Sequence, residues 1–453
     1  MDMRSESNFY FYKKVNDLEG KIGQLVEYIQ IKHQVTEGYW IMKELLMNRK
    51  FVFLWLAQGA SGLGSTFATF ALSWLIYEMT GSKMAMGSIW VSFMLPNILI
   101  QLFSGPYLDR WDRKKVMMFS EWFRAAAFLV LVIWISMDQL EVWHLYAVSI
   151  AVGLAQPIFY PASMAYVADI LPKDKLIKGN SLLEGTGQVM MLLGPTLGGL
   201  LISAFGTEPV LYILIISLGV SGFLLMMNPS SKKKQLVKRE SWFTQFKEGL
   251  QFYRVYPVLL WVGMMMMMIN FSSGAAQPMF LPYITDELGG TAFQYGLFTS
   301  AFSFGMVAGT VLTGTLKEPE NRKLVMLGSL FISGVLFLGL AWTPFYWLAL
   351  VISFGQGIFA IIFNINNTTL YQRRVPEHLR GRVFSVRVLL AQAGVPFGAA
   401  LGGLFAEMFS IPILFTVLGC LIACTTIVCW FNPIFDKLSE KGIVNIDVKA
   451  GKK

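Results

Sequence analysis

Gly105-Pro-Tyr-Leu-Asp109-Arg110-Trp111-Asp112-Arg113-Lys114-Lys115 packs six charges into seven residues between two long apolar runs, 84–104 and 115–136. A polar turn this short and this dense between runs this apolar reads as a connection made at a membrane surface. Each run is near the length of about 20 residues that a helix needs to cross a bilayer. The same pattern repeats along the chain at 51–77, 143–166, 182–204, 210–227, 258–283, 293–315, 324–343, 346–370, 384–406 and 412–431. The bilayer core offers no water to unpaired backbone groups, so such runs are helices or strands of a closed barrel. Continuous apolarity without strict alternation selects helices. The sequence therefore predicts an all-α integral membrane protein with twelve transmembrane helices.

Composition agrees. Hydrophobic residues make up 55% and charged residues 14% of the chain, against about 25% charged in a soluble domain, and the mean hydropathy is +0.54. The net charge of +9 could suggest nucleic acid, but its placement argues otherwise. With both termini cytoplasmic, the inner segments take 8, 4, 3, 7, 3, 5 and 5 lysines and arginines, 35 of the chain's 37. Lys83 falls in an outer loop and Arg124 inside the third run. Basic residues are retained on the cytoplasmic side during insertion, so membrane topology accounts for the charge and no nucleic-acid partner is expected. Cys420, Cys424 and Cys429 lie in one late apolar run, form no CxxC and read as small buried hydrophobes. No GxxxxGK(S/T) occurs, which argues against an ATP-driven pump.

The expected organisation is an N-terminal extension 1–50, a first six-helix half 51–227, a linker 228–257, a second half 258–431 and a tail 432–453. Leu18, Ile22, Leu25, Val26 and Ile29 follow a helical spacing, so the extension is either a cytoplasmic surface helix or lies upstream of a natural start at Met42; both stay open. In the linker, Trp242, Phe243, Phe246, Leu250 and Tyr253 fall on one helical face, as in a helix lying along an anionic inner leaflet.

The chain also repeats itself. A shift of 209 lays Gly105–Met117 on Gly314–Met326, with Asp109 on Glu318 and Arg113 on Arg322. A shift of 204 lays Leu171-Pro172 on Val375-Pro376 and Gly194-Pro-Thr-Leu-Gly198-Gly199 on Gly398-Ala-Ala-Leu-Gly402-Gly403. Two matches in order at nearly one offset point to parallel six-helix repeats.

On these residues the chain resembles the major facilitator superfamily. The stretch from Gly105 to Lys115 looks like its loop motif G-x-L-x-D-R-x-G-R-(R/K), with Asp112 where the motif has Gly. Gly194-Pro-Thr-Leu-Gly198-Gly199 resembles the fifth-span motif of that superfamily's drug:proton antiporters. Tyr160–Pro172, Phe246–Phe252 and Gln372–Ser385 look like the twelve-span branch that contains macrolide and siderophore exporters. The resemblance implies a monomeric secondary transporter, with the proton gradient as energy source and no cofactor or metal. It also implies two gating pairs: Asp109 on the N-terminus of the eleventh helix near Arg380 and Arg382, and Arg113, beside Arg110, on Asp169. The small residues Gly194, Pro195, Gly198 and Gly199 are expected to form a contact with the eighth span that closes in one direction only, with Gly305 and Gly309 as partners.

Ionisable groups inside a membrane are expensive and usually functional. The candidates for proton coupling are Glu184, in the inner third of the fifth run, and then Glu121, at i and i+3 with Arg124. Near mid-span the sequence offers amides and soft or aromatic groups: Gln58, Asn97, Gln101, Gln156, Asn270, Gln277, Gln356, Asn364, Gln392, with Trp55, Phe271, Phe302, Phe304 and Met264–Met268. Flexible thioethers and aromatic faces suit a roomy site for bulky amphiphiles. No nucleophile–base pair or metal-ligand cluster lies in the spans, so no enzyme is expected. The predicted function is export of an amphiphilic small molecule, drug-like or macrolide-like, through the inner or plasma membrane by proton antiport. A siderophore or lysophospholipid as cargo, or a transport-dead receptor or scaffold on the same fold, are the alternatives.

Overall fold

The structure is a computed structural model that describes residues 42–108, 111–230, 242–316, 319–376 and 379–438. The described chain is helical throughout. The first half comprises α1 (Arg49–Thr80), α2 (Lys83–Leu108), α3 (Arg113–Ser136), α4 (Val142–Ile170), α5 (Leu176–Phe205) and α6 (Thr207–Met226). The linker helix α7 (Trp242–Val255) precedes α8 (Pro257–Ala276), which continues through a 3-10 and a π turn to Glu287. The second half is completed by α9 (Ala292–Thr315), α10 (Arg322–Trp342), α11 (Tyr346–Arg374), α12 (Arg380–Met408) and α13 (Ile411–Phe431).

Eleven of these helices, among the described residues, are long and apolar enough to cross a membrane. Outside that set are the 14-residue linker helix α7 and α1, although the 32 residues of α1 would reach about 48 Å at 1.5 Å per residue. The middle of α1, Gln58-Gly-Ala-Ser-Gly-Leu-Gly-Ser-Thr66, is small and hydroxylated. Those residues face other helices: Ser61, Gly64, Phe67 and Ala68 are buried, and Gly64 lies against Leu218 of α6. Close helix contact through small residues lowers the hydropathy of a helix surrounded by protein.

The helix ends follow local chemistry. Asn48 caps α1, accepting from the Lys50 and Phe51 amides at 3.1 and 3.4 Å. Thr291 opens α9 in a reciprocal capping box with Gln294, and Asn321 caps α10 through the Leu324 amide at 3.0 Å. The α1–α2 turn needs a left-handed residue and has Gly81 there, at φ 58°.

The repeat seen in the sequence recurs in the packing. In the first half α1 packs on α5, α2 on α4, and α3 on both α4 and α6. Their counterparts pack alike: α8 on α12, α9 on α11, α10 on α11 and α13. Two further seams join the halves, α5 with α9 and α2 with α12, and each is the repeat-mate of the other.

The linker helix packs on the second half. Phe252 and Tyr253 are buried at 2% and 1% exposure, and Gly249 abuts the Arg382 backbone of α12. Tyr253 thus turns into the second half while Leu250 stays exposed. The N-terminal extension, apart from its last residues, and the tail beyond Leu438 lie outside the described residues.

Candidate functional site

Hydrogen bonds between described residues of the two halves all occur at one end of the bundle. The Glu407 carboxylate, near the end of α12, accepts from the Lys83 amide at 2.7 Å, the Met84 amide at 3.2 Å and the Ser82 hydroxyl at 3.4 Å. This places an anion on the N-terminus of α2, where free amides and the helix dipole favour it. The Tyr77 hydroxyl donates to Asp286. Between α5 and α9, Ser300 donates to the Leu192 carbonyl at 2.6 Å, Thr196 to the Ser300 hydroxyl at 2.7 Å, and the Phe293 amide to the Ser203 hydroxyl at 3.0 Å.

The small-residue motif sits in this seam and serves two faces. Gly194 and Gly198 lie against Thr66, Phe67 and Phe70 of α1, while Gly199 meets Ala292 and the backbone of Pro195 meets Gly296. The partner of α5 is therefore Gly296. Gly305 and Gly309, the expected partners, lie instead against Phe354, Ile358 and Ile361 of α11. They are nine and thirteen residues past Gly296 on α9, about two and a half and three and a half turns, and on the face turned into their own half.

Toward the other end the seam parts. On α9 the next positions along the stripe of Phe293, Gly296 and Ser300 are Phe304, Val307 and Val311, which are 51%, 45% and 60% exposed. On α5, Glu184, Gln188 and Met191 are exposed as well. The two helices touch at one end and splay at the other.

At the splayed end, Arg113 and Asp169 meet. The guanidinium NH1 is 2.7 Å from Asp169 Oδ2 and 3.1 Å from the Ala165 carbonyl, and the two side chains are 9% and 8% exposed. The pair ties the start of α3 to the end of α4 within one half. Asp112 does not loosen the turn before it. Its backbone is extended, at φ −69° and ψ 109°, and its carboxylate accepts from the Lys114 amide at 3.1 Å as the N-cap of α3. No glycine conformation is used there. Gly105 lies in the last turn of α2, and Arg380 and Arg382 open α12. Asp109, Arg110 and the second-copy residue Glu318 lie outside the described residues.

The two carboxylate candidates have opposite settings. Glu184 is exposed and accepts from the Tyr160 hydroxyl. Glu121 is 0% exposed. Its Oε1 takes the Ser61 hydroxyl at 3.0 Å and Arg124 NH1 at 3.0 Å, and Arg124 NH2 donates to the Ser65 hydroxyl at 2.6 Å. Glu121 Oε2 and Arg124 Nε have no partner. A wholly buried ion pair with hydrogen-bonding capacity left over on both members is costly to keep, and it joins α3 to the hydroxylated stripe of α1.

The amide candidates do not converge on one cluster. Gln58 accepts from Ser163 at 3.0 Å, beside the bond from Trp55 to Thr186 at 2.7 Å that ties α1 to α5. Gln356 spends both amide atoms on Ser333, and Asn270 donates to the Ala391 carbonyl at 3.0 Å. Phe271 packs on Gly394 and Gly398; these last residues fasten helices together. Asn97 accepts from Gln101 at 2.6 Å. Gln156, Gln277 and Gln392 are half-buried, and Asn364 is exposed in mid-helix. One charged group escaped the sequence reading. Arg387 was counted with the inner loop, yet it sits inside α12 at 9% exposure; its place three residues into an apolar run was the available signal.

A family model described as a transmembrane secretion effector matches residues 45–442. Macrolide efflux protein A of Streptococcus pyogenes is 24% identical over 387 residues, covering 84% of this chain and 95% of its own. The multidrug efflux pump Tap of Mycolicibacterium fortuitum is 26% identical over 397 residues, with 82% and 93% covered. The uncharacterized MFS-type transporter YfiS of Bacillus subtilis (strain 168) is 28% identical over 403 residues, with 84% and 92% covered. A solved bacterial homologue of the iron transporter ferroportin, in an inward-facing state, superposes with a TM-score of 0.69 at 16% identity, covering 87% of this chain and 99% of its own. A bacterial homolog of the human lysosomal transporter Spinster, inward-facing and unoccupied, gives 0.64 at 13% identity, covering 86% and 96%.

Proposed function

The chain belongs to the transmembrane secretion effector family of major facilitator transporters, and from that premise we propose that it exports a small amphiphilic molecule, drug-like or macrolide-like, by alternating access coupled to proton entry. One observation carries the mechanism: among the described residues, hydrogen bonds join the halves at the Glu407/Lys83 end, and the facing stripes of α5 and α9 become exposed toward the Arg113/Asp169 end. With both termini cytoplasmic and α1 counted as the twelfth span, this is a conformation closed outward and open inward. The charge distribution along the sequence supports that orientation.

In this reading the two repeat-related seams, α2/α12 and α5/α9, form the outer gate. The small residues of α5 let it close to backbone contact. Arg113, Asp169 and the loop around Asp109 belong to the inner gate. Glu121 is the proton carrier: its carboxylate is fully shielded, has an unsatisfied oxygen, and touches α1, the helix that also contacts α5 through Trp55 and Thr186. Proton binding there would weaken the pair with Arg124, leave that guanidinium to Ser65 and alter how α1 and α3 pack. The names of the relatives, macrolide and multidrug efflux proteins, support the direction of transport and the cargo class.

The deciding experiment is accumulation of macrolides, dyes and acidic amphiphiles in cells with and without the protein, each with and without a protonophore. Lower accumulation that the protonophore abolishes supports proton-driven export. Unchanged accumulation of every compound would favour a receptor on the same fold.

A further inference from the structure

Arg387 lies inside the apolar run of α12, and no carboxylate among the described residues pairs with it. Its guanidinium lies 4.7 Å from the centre of the Tyr371 ring and 5.3 Å from that of Phe384, and NH2 donates to the Thr368 hydroxyl at 3.1 Å. The Tyr371 ring is fixed from behind: its hydroxyl donates to the Leu259 carbonyl at 2.9 Å, and the buried Tyr253 hydroxyl approaches it at 3.5 Å. Arg124, the buried arginine of the first half, has Glu121. Arg387 has two aromatic faces and a hydroxyl.

A membrane arginine can turn back to the interface by snorkelling. Arg387, three residues inside the apolar run 384–406, instead reaches across to Thr368, two residues inside the end of the run 346–370, so its guanidinium sits at the edge of the two spans with its donors turned between the helices.

The neighbouring groups are polar and not saturated. Asn364, Thr368 and Tyr371 lie on one stripe of α11 at helical spacing. Asn364 is exposed and accepts only weakly from Thr368, at 3.5 Å. An exposed amide near the middle of a 29-residue membrane helix belongs on a water-filled path rather than on lipid. Helices α11 and α12 make few close backbone contacts, and Arg387 bridges them through Thr368 and the Tyr371 ring. A planar cation held between two aromatic rings, with spare donors and an exposed amide on the same stripe, matches a carboxylate or phosphate group, which guanidinium binds in a bidentate manner.

We propose that Arg387, with Thr368 and Asn364, is the oxyanion end of the cargo site, and that the exported amphiphile carries a carboxylate or phosphate head. This rests on the transporter reading only in calling the guest a cargo; the binding itself is independent of transport. The test uses the full chain in phosphatidylcholine nanodiscs and four probes of equal tail length: decyl phosphate, decanoate, decyltrimethylammonium and decanol. Thermal-shift titrations, with empty nanodiscs as the partition control, read the affinity. The two anions are expected to stabilise the protein saturably and the other two not. Arg387→Gln should weaken both anions about tenfold, the order of losing one charge-assisted hydrogen bond, and Arg387→Lys should restore part of the loss. Thr368→Val, which keeps shape and charge, should weaken them severalfold, and it decides the question if Arg387→Gln does not yield folded protein. Adding anionic phospholipid to the disc separates the sources: weaker decyl phosphate binding means that a lipid headgroup also reaches the site, and unchanged binding means the free amphiphile alone does. Tighter binding of the cationic or neutral probe, or anion affinity unchanged in both Arg387→Gln and Thr368→Val, would overturn the proposal. If the anions bind but no compound is exported by cells, the transporter reading fails and the oxyanion site stands.

Discussion

Glu407 on α12 caps α2 of the opposite half, with its carboxylate 2.7 Å from the Lys83 amide and 3.2 Å from the Met84 amide. The bond holds these two ends of the halves together. Glu407→Gln keeps the shape and removes the charge, so it should disfavour the state closed at this end, outward-closed in the proposed orientation, by about 1 kcal/mol, the worth of an anion at a helix N-terminus. Spin labels at Glu208 and Glu287, exposed at that end on opposite halves, should show a larger long-distance population. An unchanged distance distribution would remove Glu407 from the gate.

The α5/α9 seam predicts a steric effect. A methyl group on Gly296 would run into the Pro195 carbonyl, and one on Gly199 into the Ala292 carbonyl. Backbone atoms cannot step aside as a flexible side chain can. Gly296→Ala and Gly199→Ala should therefore lower transport strongly and widen the same label distance. Gly314→Ala, where nothing lies within 4 Å, should do neither.

Arg113 and Asp169 form a nearly buried pair at 2.7 Å. Removing one member leaves an uncompensated charge and costs about 3–5 kcal/mol where the site stays dry. Arg113→Ala and Asp169→Asn should each cripple transport with membrane insertion retained. A double-mutant cycle should return a coupling of about 1–3 kcal/mol, and additive losses would mean the contact is incidental. Asp109→Asn should be as severe, and Glu318→Gln mild, because the second copy of the loop has Pro319 where the first has Arg110. Equal effects at the two copies would count against an asymmetric inner gate.

The buried carboxylate predicts a contrast in coupling. Glu121→Gln keeps an acceptor for Ser61 but cannot bind or release a proton, so protonophore-sensitive export should be lost. Glu184→Gln, at an exposed position held by Tyr160, should retain most of it. The reverse ranking in a proton-flux assay would return the role to Glu184.

The fold was legible because membrane insertion writes itself into composition. Apolar runs and the two motif copies at offsets 209 and 204 define helices and repeat without any knowledge of packing. The Arg113–Asp169 pair was legible for a related reason: each residue sits at a helix end whose position is fixed by the run lengths. Partners across the interface were not. Gly305 and Gly296 look alike in sequence, nine residues apart on α9, and only the rotation of that helix shows that one faces α5 and the other α11. Glu407 was visible as a charge at the end of a span, but its partners are backbone amides, which no residue type announces. Arg387 was absorbed into a loop count because its depth depends on where α12 begins, and terminal boundaries are the least certain part of a reading from sequence.

The residue before α3 changes how the whole loop can vary between related chains. Because Asp112 holds an extended backbone and works through its side-chain oxygen, the position selects for an acceptor, not for freedom of rotation. Asn, Ser or Thr would serve there, and a glycine would give up the side-chain cap. A search pattern that insists on glycine at this point would pass over chains built in this way.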